Sequence, residues 1–363
     1  MASLKKQEVI RLSKSSLTHA EKEAVIDVLD REFLGMGAEV QDFEQALSAF
    51  FGRPALCVST GTAALQLAVQ ASGIGIGDEV LVQSLTYVAS FQAISATGAR
   101  PIACEIDPQT LCLDWRDAEA KITPNTKAIM PVHYSGGVGD LNEIYKFAAK
   151  YNLTVIEDAA HASGAKYNHK KIGSHGMAVC FSFHPVKNIA MLTGGLISIN
   201  HKKHKKFKKI LNERRWCGIT NRQGFTYDVK QVGWNYYMNE LSAGLGIIQL
   251  KKLDRLNLIR NNVAKRYHNE IELDEKMPYQ KDCSYHFYWI MVKNRDKLMQ
   301  KLKQNGIETG IHYRPIHTMS MYKNKKKLPI TEKVGKKIIS LPTHPNLTNN
   351  DVTEIISKIN RFL

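Results

Sequence analysis

The chain has 363 residues, 44% hydrophobic and 23% charged, the balance of a folded globular protein and not of a disordered or fibrous one. That length exceeds what one hydrophobic core ordinarily supports, so two units are expected, residues 1–250 and a smaller 251–363. A formal net charge of +16 raises nucleic acid as a partner, but lysine dominates its two densest runs, His201 to Lys209 and Lys323 to Lys327, and no nucleic-acid motif accompanies them; a solvated surface, or one suited to a diphosphate-bearing small substrate, is expected instead.

At the N-terminus, Met1 to Ser16 lacks the apolar core of a secretory signal, and nowhere do eighteen apolar residues run together. A cytoplasmic protein without a membrane span is expected. Val40, Phe43, Leu47 and Phe50 then mark an amphipathic helix. From Ala55 to about Asn200, short β-branched runs alternate with helical patterns. The strand candidates are Ala55–Ser59, Glu79–Gln83, Pro101–Glu105, Ala128–Val132, Thr154–Glu157, Ala178–Phe183 and Leu196–Ile199. Between two of them, Leu141, Ile144, Phe147 and Ala148 fall on one helix face, closed by Asn152. The alternation predicts an α/β fold, a mainly parallel sheet with helices on both faces and ligands at the carboxyl ends of its strands. A long helix over about Asn239–His268 leads into a small α+β C-terminal unit. Its pattern is strand Tyr285–Val292, helix Arg295–Gln304 stopped by Asn305-Gly306, strand Glu308–Tyr313, and a last helix with Val352, Ile355, Ile356 and Ile359 inward. The six cysteines form no CxxC pair and are expected as buried free thiols, with neither disulfide nor metal.

Three segments carry chemistry. Ser59-Thr60-Gly61-Thr62 joins a strand end to a helix start, where free N–H groups, the helix dipole and the Thr62 hydroxyl suit a phosphate; a plain helix cap reads the same way. Gly73, Gly75 and Gly77 follow a helix, not a strand, and make a turn instead of a dinucleotide fingerprint. The strand Thr154–Glu157 continues into Asp158, Ala159, Ala160 and His161. A carboxylate there can pair with a protonated ring nitrogen, or cap the next helix, and His161 can be a core histidine. The strand Ala178–Phe183 ends in His184-Pro185-Val186-Lys187. Desolvation of a lysine at such a place favours the neutral amine that attacks an aldehyde. Lys187 lies one strand–helix–strand step beyond Asp158, so phosphate anchor, ring-nitrogen partner and Schiff-base lysine occur in the order a pyridoxal phosphate site needs.

These motifs, with FLGMGAEVQDFEQALSAFFG from Phe33, PVHYSGG from Pro131, GWNYYMNELSAGLGIIQL from Gly233, GIHYRPIH from Gly310 and SLPTHP from Ser340, resemble the DegT/StrS family of sugar aminotransferases almost end to end. The resemblance implies the fold type I architecture of pyridoxal phosphate (PLP) enzymes, with Lys187 carrying the cofactor. It places Asp158 on the pyridine nitrogen, His161 near the ring hydroxyl and Tyr87 stacked on the ring, with Gly61, Thr62 and Ser182 in the phosphate cup. Asn235 matches a residue that reaches the phosphate from a neighbouring subunit, implying a homodimer with shared active sites. His184, His312, Tyr313 and His317 fall to the substrate side.

The expected reaction converts a nucleotide-linked 4-keto-6-deoxy sugar to its 4-amino sugar with glutamate as donor, for O-antigen, lipopolysaccharide or another glycoconjugate. The alternatives are a 3-keto sugar substrate, or a basic nucleic-acid-binding protein that retains the fold without catalysis. Lys187 argues against the family's dehydratase branch, which has histidine there. Two positions depart from the family pattern: Ala190 to Thr193, where a carboxylate is usual, and Tyr237, where arginine is frequent.

Overall fold

The computed structural model describes residues 9–200, 204–323 and 326–363, so parts of both lysine runs, 201–203 and 324–325, lie outside the described residues. Helices α1 (His19–Asp30) and α2 (Ala38–Phe51) precede β1 (Ala55–Val58) and α3 (Gly61–Ala71). Then come β2 (Glu79–Gln83), α4 (Val88–Ser95), β3 (Arg100–Cys104), α5 (Trp115–Glu119), β4 (Thr126–Met130), α6 (Leu141–Lys150) and β5 (Thr154–Asp158). A small hairpin, β6 (Lys166–Tyr167) and β7 (Lys170–Lys171), is followed by β8 (Ala178–Ser182), β9 (Gly195–Ile199) and α7 (His204–Arg215). A second hairpin, β10 (Ile219–Gln223) and β11 (Thr226–Val229), leads to the long α8 (Glu240–Glu270). The chain closes with β12 (Tyr288–Met291), α9 (Arg295–Gln304), α10 (Pro329–Lys337), β13 (Ile338–Leu341) and α11 (Asn349–Phe362).

The seven strands expected between Ala55 and Asn200 form one sheet in the order β1-β9-β8-β5-β4-β2-β3. Only β9 runs against the others, pairing antiparallel with both neighbours. Because strand side chains alternate, each strand feeds two cores. Leu81, Val179 and Phe181 pack with Phe43 and Leu47 of α2 and Phe147 of α6. Their neighbours Val80, Val82 and Cys180 pack with α3, α4 and Phe207 of α7 on the other face. A third core joins Tyr267 at the end of α8 to β12, α9, β13 and α11.

The C-terminal unit departs from expectation in its strands, with β12 shorter than Tyr285–Val292 and β13 not foreseen. Glu308–Tyr313 forms no strand; Gly310 makes a lone bridge with Ser340, and Glu308 N–H donates to Ile10 of the N-terminal segment. The partner of β12 is β13, which follows α10 with no turn residue between them and so gives no local signal. Among the described residues no helix is long and apolar enough to cross a membrane.

One side chain ties the helices behind the sheet. Gly37 caps α2 without a side chain, and the buried carboxylate of Glu240 substitutes for it, accepting from the N–H groups of Gly37 (2.9 Å), Glu39 (3.0 Å) and Val40 (3.0 Å). Glu240→Ala strands three donors and is expected to cost about 3 kcal/mol. The measurement is urea unfolding of cofactor-free protein, with the midpoint falling at constant m; a midpoint equal to wild type would refute the cap.

Candidate active site

The carboxyl ends of β5 and β8, the start of α3 and the segment His312-Tyr313 converge on a cleft of about 350 Å³. Asp158 is the last residue of β5 and almost wholly buried. Its Oδ2 accepts from Ser90 Oγ at 2.7 Å and its Oδ1 from Ala160 N–H at 3.1 Å. Burial pushes its pKa above the usual carboxylate value, against those two hydrogen bonds and the charge of Lys187. The neighbouring Glu157 faces the opposite side of the strand, where it is bonded to His133 and Tyr145, and takes no part in the cleft.

Lys187 stands in a turn beyond β8, its N–H donating to His184 O at 2.8 Å. Burial brings its amine from 10.5 down to about 8, with the charge of Asp158 opposing. No ion pair joins Lys187 to Asp158 among the described residues; Nζ lies instead 3.4 Å from His286 Nε2.

His161 is buried beside them. Its Nδ1 accepts from Ser135 N–H (3.3 Å), so the ring proton belongs on Nε2, 3.1 Å from Tyr313 OH. Burial and the charges of Lys187 and His312 hold it far below the usual imidazole value. Tyr87 ends the loop before α4; its ring is 57% exposed at the cleft, 5.8 Å from that of Tyr313. His312 donates or accepts through Nδ1 with Ser340 Oγ (2.8 Å) and stacks on Phe287 at 4.6 Å. Burial and Lys187 lower its pKa to about 4. His184 also lines the cleft, its pKa lowered by burial and by Lys187.

At the other end Thr60 caps α3, accepting from Ala63 N–H at 3.0 Å, while the first-turn N–H groups of Gly61 and Thr62 have no intrahelical acceptor. A Cβ on Gly61 would lie 2.7 Å from Ser182 Cβ, so only glycine lets the β8 hydroxyl come this close to the helix start. Ala190 and Met191 are buried in the core and Thr193 Oγ donates to Ser59 O (2.6 Å), so apolar packing and one hydroxyl hold the segment that departs from the family pattern.

Two expected residues are not brought to the cleft. Asn235 is exposed and bridges to Trp216. His317 is buried between Ser84 Oγ (2.7 Å) and Glu332 (3.3 Å). Ser90 and His286 were missed. Ser90 stands in the first turn of α4, four residues after Thr86, to which its hydroxyl is bonded at 2.9 Å. His286 had no signal, since it sits in an apolar run of the other unit.

The residues present fit PLP: free N–H groups and a hydroxyl for its phosphate, a buried carboxylate for its ring nitrogen, and a desolvated amine for its aldehyde.

The model of the DegT/DnrJ/EryC1/StrS aminotransferase family matches residues 15–360. Among solved structures, Spr1654 of Streptococcus pneumoniae in its PLP form is 27% identical, with a TM-score of 0.93 over 98% of each chain. The sugar aminotransferase CalS13 of Micromonospora echinospora is 29% identical, TM-score 0.91, over 98% of this chain and 100% of its own. PseC of Helicobacter pylori, an aminotransferase involved in the biosynthesis of pseudoaminic acid, is 28% identical, TM-score 0.92, over 98% of this chain and 99% of its own.

Proposed function

The chain belongs to the DegT/DnrJ/EryC1/StrS aminotransferase family and is a PLP-dependent sugar aminotransferase; from that premise we propose that it converts a nucleotide-linked 4-keto-6-deoxy sugar to the 4-amino sugar, with glutamate as amino donor. The observation that carries the reading is the convergence of a desolvated amine, Lys187, and a buried carboxylate, Asp158, on one cleft. When bound, PLP supplies an aldehyde that captures amines and a protonated ring that draws electrons from the adjacent carbon. Lys187 Nζ holds the aldehyde between turnovers and, once released, moves the proton to and from the substrate carbon. Asp158 keeps the ring nitrogen protonated, and His161 donates from Nε2 toward the ring hydroxyl. Tyr87 packs its face on the ring. Gly61, Thr62 and Ser182 hold the phosphate. His184, His312 and Tyr313 orient the sugar, and His317 braces their segment against Ser84.

The cleft lining contains no cation besides Lys187 among the described residues, and Asn235 lies exposed outside it. Both observations support a homodimer in which a second copy brings Asn235 to this phosphate site. Residues 1–250 form the cofactor-binding unit and 251–363 the smaller one, with α8 common to their cores. We place the reaction in the cytoplasm, in the synthesis of a surface polysaccharide such as O-antigen, and read the lysine runs as a field that attracts the substrate's diphosphate.

The test offers the PLP-loaded protein and glutamate a panel of dTDP-, UDP- and GDP-linked 4-keto-6-deoxyhexoses and their 3-keto isomers. NMR of the product is expected to show nitrogen at C4. Amination at C3 alone would overturn the position assigned, and failure with every nucleotide-linked compound would overturn the linkage.

A further inference from the structure

Lys187 reaches the cleft on a side chain with four rotatable bonds, yet a proton carrier is effective only when held within bonding distance of its targets. Among the described residues, the one side chain hydrogen-bonded to its Nζ is His286, Nε2 to Nζ 3.4 Å. His286 is itself fixed: its N–H donates to Ser135 O at 2.9 Å, its carbonyl accepts from Arg260 Nη1 at 3.2 Å, and its ring lies 4.7 Å from that of His161, 26° from parallel. Its other nitrogen, Nδ1, is buried with no partner among the described residues.

We propose that His286 is a positioning residue for Lys187, its Nε2 setting where the free amine sits whenever Lys187 is not joined to the cofactor. The inference rests on Lys187 being the cofactor-bearing lysine. The groups facing this pair are Asp158 at the end of β5 and His161 beyond it, His184 beyond β8, His312 and Tyr313 before β13, and Arg260 of α8. Burial, with the charge of Lys187, keeps His286 far below the usual imidazole value, so its ring is neutral and Nε2 accepts. It accepts more strongly from the ammonium than from the amine.

The experiment follows acylation of Lys187 by acetic anhydride against pH in cofactor-free protein, read by peptide mass spectrometry. His286→Phe keeps the stacked ring without nitrogen and should lower the midpoint from about 8 by about one pH unit. His286→Gln places an amide near the Nε2 position and should restore the wild-type midpoint; His286→Asn falls one bond short and should follow Phe. In the loaded enzyme, Phe and Asn should lower kcat by about tenfold to a hundredfold with KM for glutamate unchanged, and Gln should recover it. Wild-type midpoints in both Phe and Asn would overturn the proposal. If the Phe variant does not fold, equal midpoints in Gln and Asn would do so. Borohydride reduction of the loaded protein followed by peptide mapping tests Lys187 itself, so an error there is separable from one at His286.

Discussion

Lys187→Ala is expected to abolish transamination, with a loss of about four orders of magnitude or more in kcat. The variant has neither a group to hold the aldehyde nor one to carry the proton, and among the described residues no other lysine lines the cleft. Lys187→Arg should be equally inactive, because a guanidinium stays charged where a neutral amine is needed. The measurements are single-turnover release of 2-oxoglutarate from glutamate and the visible absorption of the bound cofactor. Turnover above one-hundredth of wild type would sink the assignment. Stability provides a second readout. The folded pKa of Lys187 lies at about 8 and the unfolded value at 10.5, so between these pH values the unfolded chain binds the extra proton and wild-type stability rises with pH. The alanine variant should lose that slope while remaining folded.

Asp158→Asn is expected to lower kcat by about a thousandfold, roughly 4 kcal/mol at 1.36 kcal/mol per tenfold, while making the cofactor-free protein more stable at neutral pH. An amide cannot hold the ring nitrogen's proton, so the electron sink is lost. The stability change has the opposite sign. Burial raises the folded pKa of Asp158, so its favourable contribution belongs to the protonated form, present at low pH and lost as pH rises through the folded value. Asparagine stays neutral throughout. Its amide oxygen can accept from Ala160 N–H, and its NH₂ can donate to Ser90 Oγ, whose hydrogen turns to Thr86. Thermal unfolding without cofactor and glutamate half-reaction kinetics should therefore move in opposite directions. Activity within tenfold of wild type would refute the role, and a lower thermal midpoint would refute the electrostatics.

The alternation of strands and helices was legible because it is written locally: side chains that alternate along β2 or repeat around α6 disclose which faces are apolar. Asp158, Lys187 and Gly61 were legible for the same reason, each standing at the end of a strand or the start of a helix that its own neighbours define. What a local pattern does not contain is the partner. An apolar run pairs with whichever edge buries it best, so β13, and not the strand expected at Glu308–Tyr313, lies beside β12, and β9 runs against its neighbours.

Distance in sequence also hid part of the site. His286 leaves the expected strand because its N–H pairs with Ser135, as that of Ser284 just before the strand pairs with Gly136, which carries the imidazole of His286 from the other end of the chain to Lys187. His317, expected at the substrate, is withdrawn because Ser84 and Glu332 satisfy both its nitrogens. Composition and periodicity by themselves determined an α/β sheet with an amine and a carboxylate at its carboxyl edge. Tertiary packing alone decided the depth at which those two groups are buried, and hence their shifted protonation, because desolvation depends on every neighbour that closes over a side chain and not on the residues beside it in the sequence.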